Sequence, residues 1–259
     1  MSVKAISTKR DILVLLACVA LLLMNIGAIG SSSRRRAKEA VCLANLRQWG
    51  TVFAMDAEQN DGYFYGGEGS TGFWWIKDLK DRYKDWKNVK IWFCPEATKP
   101  IIDEHGVPTP TLNIFNAWGI YTGEGLGANG ISGSYGLNAY VLNTPGAENN
   151  WRTPDVQGAE KIPLFLDALR FDLWPKDTDQ PPAYEFAAWS GSHMARCCIN
   201  RHNGAVNALF MDFSVRKVGL KELWTLKWHR AFNTNGPWTK AGGMRPNDWP
   251  AWMRSFKDY

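Results

Sequence analysis

An uninterrupted apolar run near its start limits the folding choices of this chain more than any other stretch does. Ile12 to Ile29 holds eighteen residues without a charge, with Lys9 and Arg10 before it and Arg34-Arg35-Arg36 soon after. As a helix the run extends about 27 Å, close to the roughly 30 Å hydrocarbon core of a bilayer. Asn25 and Gly27 weaken its far end. One reading is a retained membrane anchor. Another is a secretory signal with Lys9 and Arg10 as its basic start and Ala28-Ile29-Gly30 as the cleavage site. A buried helix of a soluble protein is the third.

The residues after the run favour the anchor. Arg34 to Ala40 is rich in helix formers, and apolar residues then recur at Cys42, Leu46, Trp49 and Phe53. That spacing draws one stripe along one helical face. No stop signal occurs before the turn sequence Asn60-Asp61-Gly62, and Ser31-Ser32-Ser33 is the one weak point. The pattern predicts a helix from Ile12 to about Glu58, on the order of 70 Å long, transmembrane first and amphipathic after. Residues 1–60 are then anchor and helix, and residues 61–259 an extracytoplasmic head rich in tryptophan.

Charge argues against nucleic acid as a partner. Residues 1–40 carry seven basic and two acidic side chains, which accounts for the whole net charge of +5; the other 219 residues balance at 23 of each sign. A nucleic-acid-binding head needs a positive face to displace counterions, and a neutral head lacks one. The excess charge flanks the apolar run instead.

In the head, Val206–Met211 and Ser214–Val218 alternate as an antiparallel hairpin does. Lys161–Asp167 is a further predicted strand, with Pro163 near its start as an edge strand tolerates, and Val89–Phe93 is a fourth. Gly119–Gly136 contains seven glycines and reads as a connecting loop. Leu220, Leu223, Trp224, Trp228 and Phe232 fit one face of a short helix. The tail from Asn233 to Tyr259 reads as irregular, pinned by Trp238, Trp249 and Trp252. A helix followed by strands defines an α+β class.

Five cysteines are present, with Cys18 in the apolar run and Cys42, Cys94, Cys197 and Cys198 beyond it. An even number in an exported head permits disulfides. The preferred pair is Cys42–Cys94, stapling the helix to the first strand; buried free thiols are the alternative, and both stay open. The histidines His105, His193, His202 and His229, together with Asp167, Asp172 and Asp212, contain the atoms of a metal site. No metal-binding spacing supports one, so neither a metal nor a catalytic residue is expected. Ser190-Gly191-Ser192-His193 lacks the Gly-x-Ser-x-Gly spacing of a nucleophile turn. The tryptophans supply core; a surface platform for sugar rings is the alternative, which would make the head a glycan- or ligand-binding module.

Several segments together resemble a known family. They are Arg34 to Phe64, Trp92-Phe93-Cys94-Pro95, Gly133-Ser134-Tyr135-Gly136-Leu137-Asn138, and Arg201-His202-Asn203-Gly204 leading into Ala208-Leu209-Phe210-Met211-Asp212. The chain resembles bacterial prepilin-like proteins of planctomycete-type bacteria, relatives of type II secretion pseudopilins. His202 and Asp212 match the spacing of that family's His-x9-Asp-Gly signature, and they are expected to be structural, holding turn backbone at the ends of one strand. The resemblance implies a pilin-like fold, with the long helix packed on an antiparallel sheet with long loops. It also implies a single-pass protein of the bacterial inner membrane, its head periplasmic or at the cell surface. Its role would be structural, in a type II secretion or type IV pilus-like apparatus, and not enzymatic. Its partners would be membrane lipid and other pilin-like subunits or secretion components. No cofactor is implied beyond a calcium ion, and no Asp-x-Asp-x-Asp-Gly run is present to bind one. Two positions depart from the family: Thr8-Lys9-Arg10-Asp11-Ile12-Leu13 lacks the Gly and Glu of a prepilin processing site, and Phe213 stands where the signature has Gly. Because a positive φ favours Gly, the turn at Phe213 is expected to take another shape.

Overall fold

The computed structural model describes residues 9–66, 75–76, 90–97, 99–100, 114–120, 131–185 and 192–259. Its contacts define two compact units, Met1–Lys38 and Glu39–Tyr259. Helix α1 spans Lys9–Gln59, 51 residues that include the serine triplet. It ends where sequence chemistry ends it: Asp61 and Gly62 adopt positive φ of 56° and 82°, and the Gly62 N–H closes back on the Ala57 carbonyl.

Among the described residues no helix is long and apolar enough to cross a membrane. This corrects the reading of Ile12–Ile29 as a transmembrane segment, and with it the placement in an inner membrane.

The larger unit is α+β. Its strands are β1 (Lys99–Pro100), β2 (Asn116–Ile120), β3 (Ile131–Gly133), β4 (Tyr135–Asn138), β5 (Pro163–Asp167), β6 (Asp172–Leu173), β7 (Ala205–Phe210) and β8 (Val215–Gly219). The first three form one sheet in the order β1-β2-β3, and the other five a second sheet in the order β6-β4-β5-β7-β8. The sheets are mixed rather than antiparallel, because β1 with β2 and β4 with β6 pair in parallel. Strand β5 is not an edge: it lies between β4 and β7, and Pro163 is tolerated because it is the first residue of the strand, beside a register shift.

The five-stranded sheet carries a buried core on each face, with its edge strand β8 partly exposed. Leu137, Phe165, Leu209 and Met211 face a core supplied by Cys42, Leu46, Trp49 and Phe53 of α1. Leu166, Val206, Ala208, Phe210 and Val218 face a second core built from Leu220, Leu223, Trp224, Trp228, Phe232, Trp249 and Met253. Alternation along β7 sends neighbouring side chains to opposite cores.

Other expectations are corrected locally. Lys90–Trp92 is a 3-10 turn, not a strand. The predicted helix from Leu220 is a 3-10 turn ending at Thr225; its apolar positions are nonetheless all buried. The glycine-dense stretch contributes β3 and β4 as well as the end of β2. Its glycines serve close approach there: a Cβ on Gly133 would lie 2.6 Å from the Trp118 ring, and one on Gly136 2.4 Å from the Arg170 carbonyl oxygen. Phe213 does adopt positive φ, at 63°. Its N–H bonds the Phe210 carbonyl, and the Phe210 N–H bonds the Ser214 carbonyl, the pattern of a type I turn with a one-residue bulge. Phe213 packs on the first core, which offsets its backbone strain.

Candidate functional site

Four side chains from four separate segments converge where α1 meets one end of the five-stranded sheet. They are Cys42 of α1, Cys94 just after the 3-10 turn at Lys90–Trp92, Asp167 at the end of β5, and His202 in the loop before β7. Their ligand-type atoms all lie within 4.8 Å of one another. All four residues are buried, three completely and His202 at 3 % exposure.

Each is fixed by its local structure. Cys42 begins the buried stripe of α1. Asn45 and Trp49, one and two turns further along, donate to the Phe93 and Ile91 carbonyls at 2.9 and 2.8 Å and clamp the Cys94 segment to the helix. The Cys94 N–H donates to Ser134 Oγ at 2.6 Å. Asp167 is the last residue of β5, and its Oδ2 accepts the Asn207 backbone N–H at 2.9 Å. His202 is turned inward by Asn203 and Gly204, both at positive φ, with its N–H on the Ala205 carbonyl.

Within the cluster, His202 Nε2 lies 3.1 Å from Asp167 Oδ2 and 3.4 Å from Cys94 Sγ. Cys42 Sγ lies 3.7 and 3.8 Å from the two Asp167 oxygens and accepts the Tyr135 hydroxyl at 3.3 Å. Arg201 is the adjacent cation, its side chain fully buried and 3.4 Å from Asp167 Oδ1. It also donates to the carbonyls of Ile114, Asn116, Ser134 and Ala168 at 2.6–3.2 Å. A buried guanidinium with this many acceptors satisfies its charge while tying both sheets to the loop before β7.

The electrostatics are those of interlocked charges. Burial opposes an imidazolium at His202, but the Asp167 carboxylate and its hydrogen bond outweigh that and raise the pKa to about 10. Burial likewise opposes the Asp167 carboxylate, yet His202, Arg201 and the Asn207 N–H hold its pKa below the usual value. The two thiols divide: hydrogen bonding from Cys42 lowers Cys94, while desolvation pushes Cys42 well above the ordinary thiol value. A cysteine of lowered pKa beside an imidazole is the composition of a nucleophile or of a metal site. Burial of all four residues suits the second.

The structure brings Cys42 and Cys94 together, but as free thiols. It does not bring together His202 and Asp212. Asp212 lies exposed at the far end of β7, accepting from Ser214 N and Oγ in the hairpin turn. Of the histidines, His193 accepts from Arg196, His229 packs at a tilt against the Tyr140 ring, and His105 lies outside the described residues. Asp172 pairs with Arg170. Cys197 and Cys198 are buried elsewhere, in the second core. Sequence reasoning had Asp167 and His202 among its metal candidates and Cys42 with Cys94 as a pair, but did not combine them. Only the fold joins segments this far apart in sequence.

No family model, no characterised protein and no solved structure matches this chain.

Proposed function

We propose that the chain is a structural subunit of a pilin-like assembly, joined to further copies of itself through the first half of α1. The observation that carries this reading is the exposure of that half. Ile12, Leu13, Val14, Leu15, Leu16, Val19 and Leu21 are 44–69 % exposed. The first five are consecutive, so they occupy every side of the helix. A helix that is apolar all round is stable only when it is surrounded, and burying the exposed part of each of these side chains is worth on the order of 1 kcal/mol. Equivalent helices from other subunits cover all sides at once, as in a helical bundle. The residue resemblance to prepilin-like proteins supports the same reading and suggests a secretion or pilus-like apparatus as its setting.

The alternative of a glycan-binding module is less well supported. Eight of the described tryptophans are buried, and Trp174, Trp238 and Trp252 are half-buried, which leaves no described tryptophan to form an exposed stacking platform.

Sedimentation of the full chain tests the proposal. The wild-type protein is expected to sediment as oligomers or filaments, and a Leu13→Glu, Leu16→Glu double variant as a 29.2 kDa monomer. Cys18, the one exposed cysteine among the five, gives a second measurement: it should cross-link between copies on mild oxidation. A wild-type chain that is monomeric at micromolar concentration and does not cross-link through Cys18 would overturn the reading.

A further inference from the structure

We infer that Cys42, Cys94, Asp167 and His202 form a closed, four-coordinate site for a divalent zinc ion that pins α1 to the sheet. This is independent of how subunits assemble, since every ligand lies within the Glu39–Tyr259 unit.

Three of the six ligand-to-ligand separations match the edges of a coordination tetrahedron. With Zn–S near 2.3 Å and Zn–N or Zn–O near 2.0–2.1 Å, tetrahedral edges come to about 3.6 Å for sulfur to nitrogen or oxygen and about 3.3 Å for nitrogen to oxygen. The corresponding separations are 3.4 Å for Cys94 to His202, 3.7 Å for Cys42 to Asp167 and 3.1 Å for His202 to Asp167. Hydrogen bonding alone accounts for this packing poorly. His202 Nε2 carries at most one hydrogen, yet it faces both a carboxylate oxygen and a sulfur.

The donor set selects the ion. Two sulfurs, one imidazole nitrogen and one carboxylate oxygen, all shielded from solvent, suit tetrahedral zinc and not the oxygen-rich shells of calcium or magnesium. Two thiolates and a carboxylate around a divalent ion leave one negative charge, and the buried Arg201 guanidinium beside Asp167 neutralises it. The surrounding hydrogen bonds are those that orient ligands: the Asn207 N–H on Asp167 and the Tyr135 hydroxyl on Cys42. The Asn207 side chain is completely buried, and neither its amide nitrogen nor its oxygen has a partner at hydrogen-bonding distance.

The test uses the full chain, reduced and stripped with a chelator, then titrated with Co2+ and Zn2+. One Co2+ per chain is expected, with the visible bands of tetrahedral cobalt and a near-ultraviolet thiolate-to-cobalt band, both abolished by Zn2+. At a hundredfold excess over Kd, Zn2+ should raise the Tm by about 5–10 °C. Cys94→Ser should weaken the charge-transfer band, and Cys198→Ser, equally buried but in the other core, should leave it intact. Should the Cys94 variant fail to fold, the wild-type cobalt spectrum decides alone. A reduced wild-type chain that takes up no stoichiometric metal overturns the site, whether Cys42 and Cys94 remain free thiols or close into a disulfide on reoxidation.

Discussion

At the scale of single residues, burial governs the ionisable groups, and His193 offers a readout away from the four-residue cluster. Burial, then the charge of Arg196, lowers its pKa from 6.5 to about 4. Both ring nitrogens lie 3.3 Å from the Arg196 guanidinium, an arrangement suited to neutral imidazole. Asp172 and Asp179 pull the other way, and Arg170 adds to the lowering. Proton linkage sets the direction of the effect on stability. As pH falls below 6.5 the unfolded chain takes up a proton that the folded chain refuses until about pH 4, so stability drops through that window. His193→Gln removes this component. Urea midpoints measured at about pH 7, 5.5 and 4.5 should fall less steeply for the variant than for the wild type, and parallel slopes would show that His193 contributes nothing. Phe213 illustrates a second residue-scale conflict: its sequence position asks for glycine, and contact with the core decides otherwise.

At the scale of elements, the strands depend on glycine where it is least expected. Strand β4 is held between β5 and β6, and the backbone of Arg170 passes so close to Gly136 that a methyl group cannot fit: its carbon would lie 2.4 Å from the Arg170 carbonyl oxygen and 2.9 Å from Ala168 Cβ. Gly136→Ala is therefore expected to part β4 from β6 and to destabilise by about 1–3 kcal/mol, read as a lower urea midpoint. An unchanged midpoint would mean that the backbone yields without cost. Close packing also explains why the stretch reads as loop from sequence: seven glycines signal turns, and close backbone approach, the other use of glycine, leaves the same mark. By contrast, the α1 stripe at Cys42, Leu46, Trp49 and Phe53 was legible, because a 3.6-residue period depends on nothing distant. The hairpin of β7 and β8 was legible for the same reason.

At the scale of the whole molecule, the C-terminal segment does the work of a second layer. It contains no α-helix among its described residues, yet Trp249 and Met253 belong to the core on the far face of the sheet. Lys221 is held beneath it, its fully buried ammonium on Asp258 Oδ1 at 2.7 Å and on the Phe256 carbonyl at 2.9 Å. Deleting residues 249–259 uncovers the far face of the sheet and removes both partners of the Lys221 ammonium. The shortened chain is expected to lose its near-ultraviolet circular dichroism and its cooperative unfolding. A sharp transition at the wild-type midpoint would refute this role.

Local sequence was enough to specify the α+β class, the buried stripe of α1, the position of two hairpin strands and the anchoring function of the tryptophans in the tail. These arise from periodicity and turn chemistry, which act over a few residues. Long-range packing was needed to make β5 central, to mix the sheets, and to gather Cys42, Cys94, Asp167 and His202 into one buried site. Each of those depends on which distant segments become neighbours. That choice is made by the joint packing of two cores, which no single stretch of chain encodes.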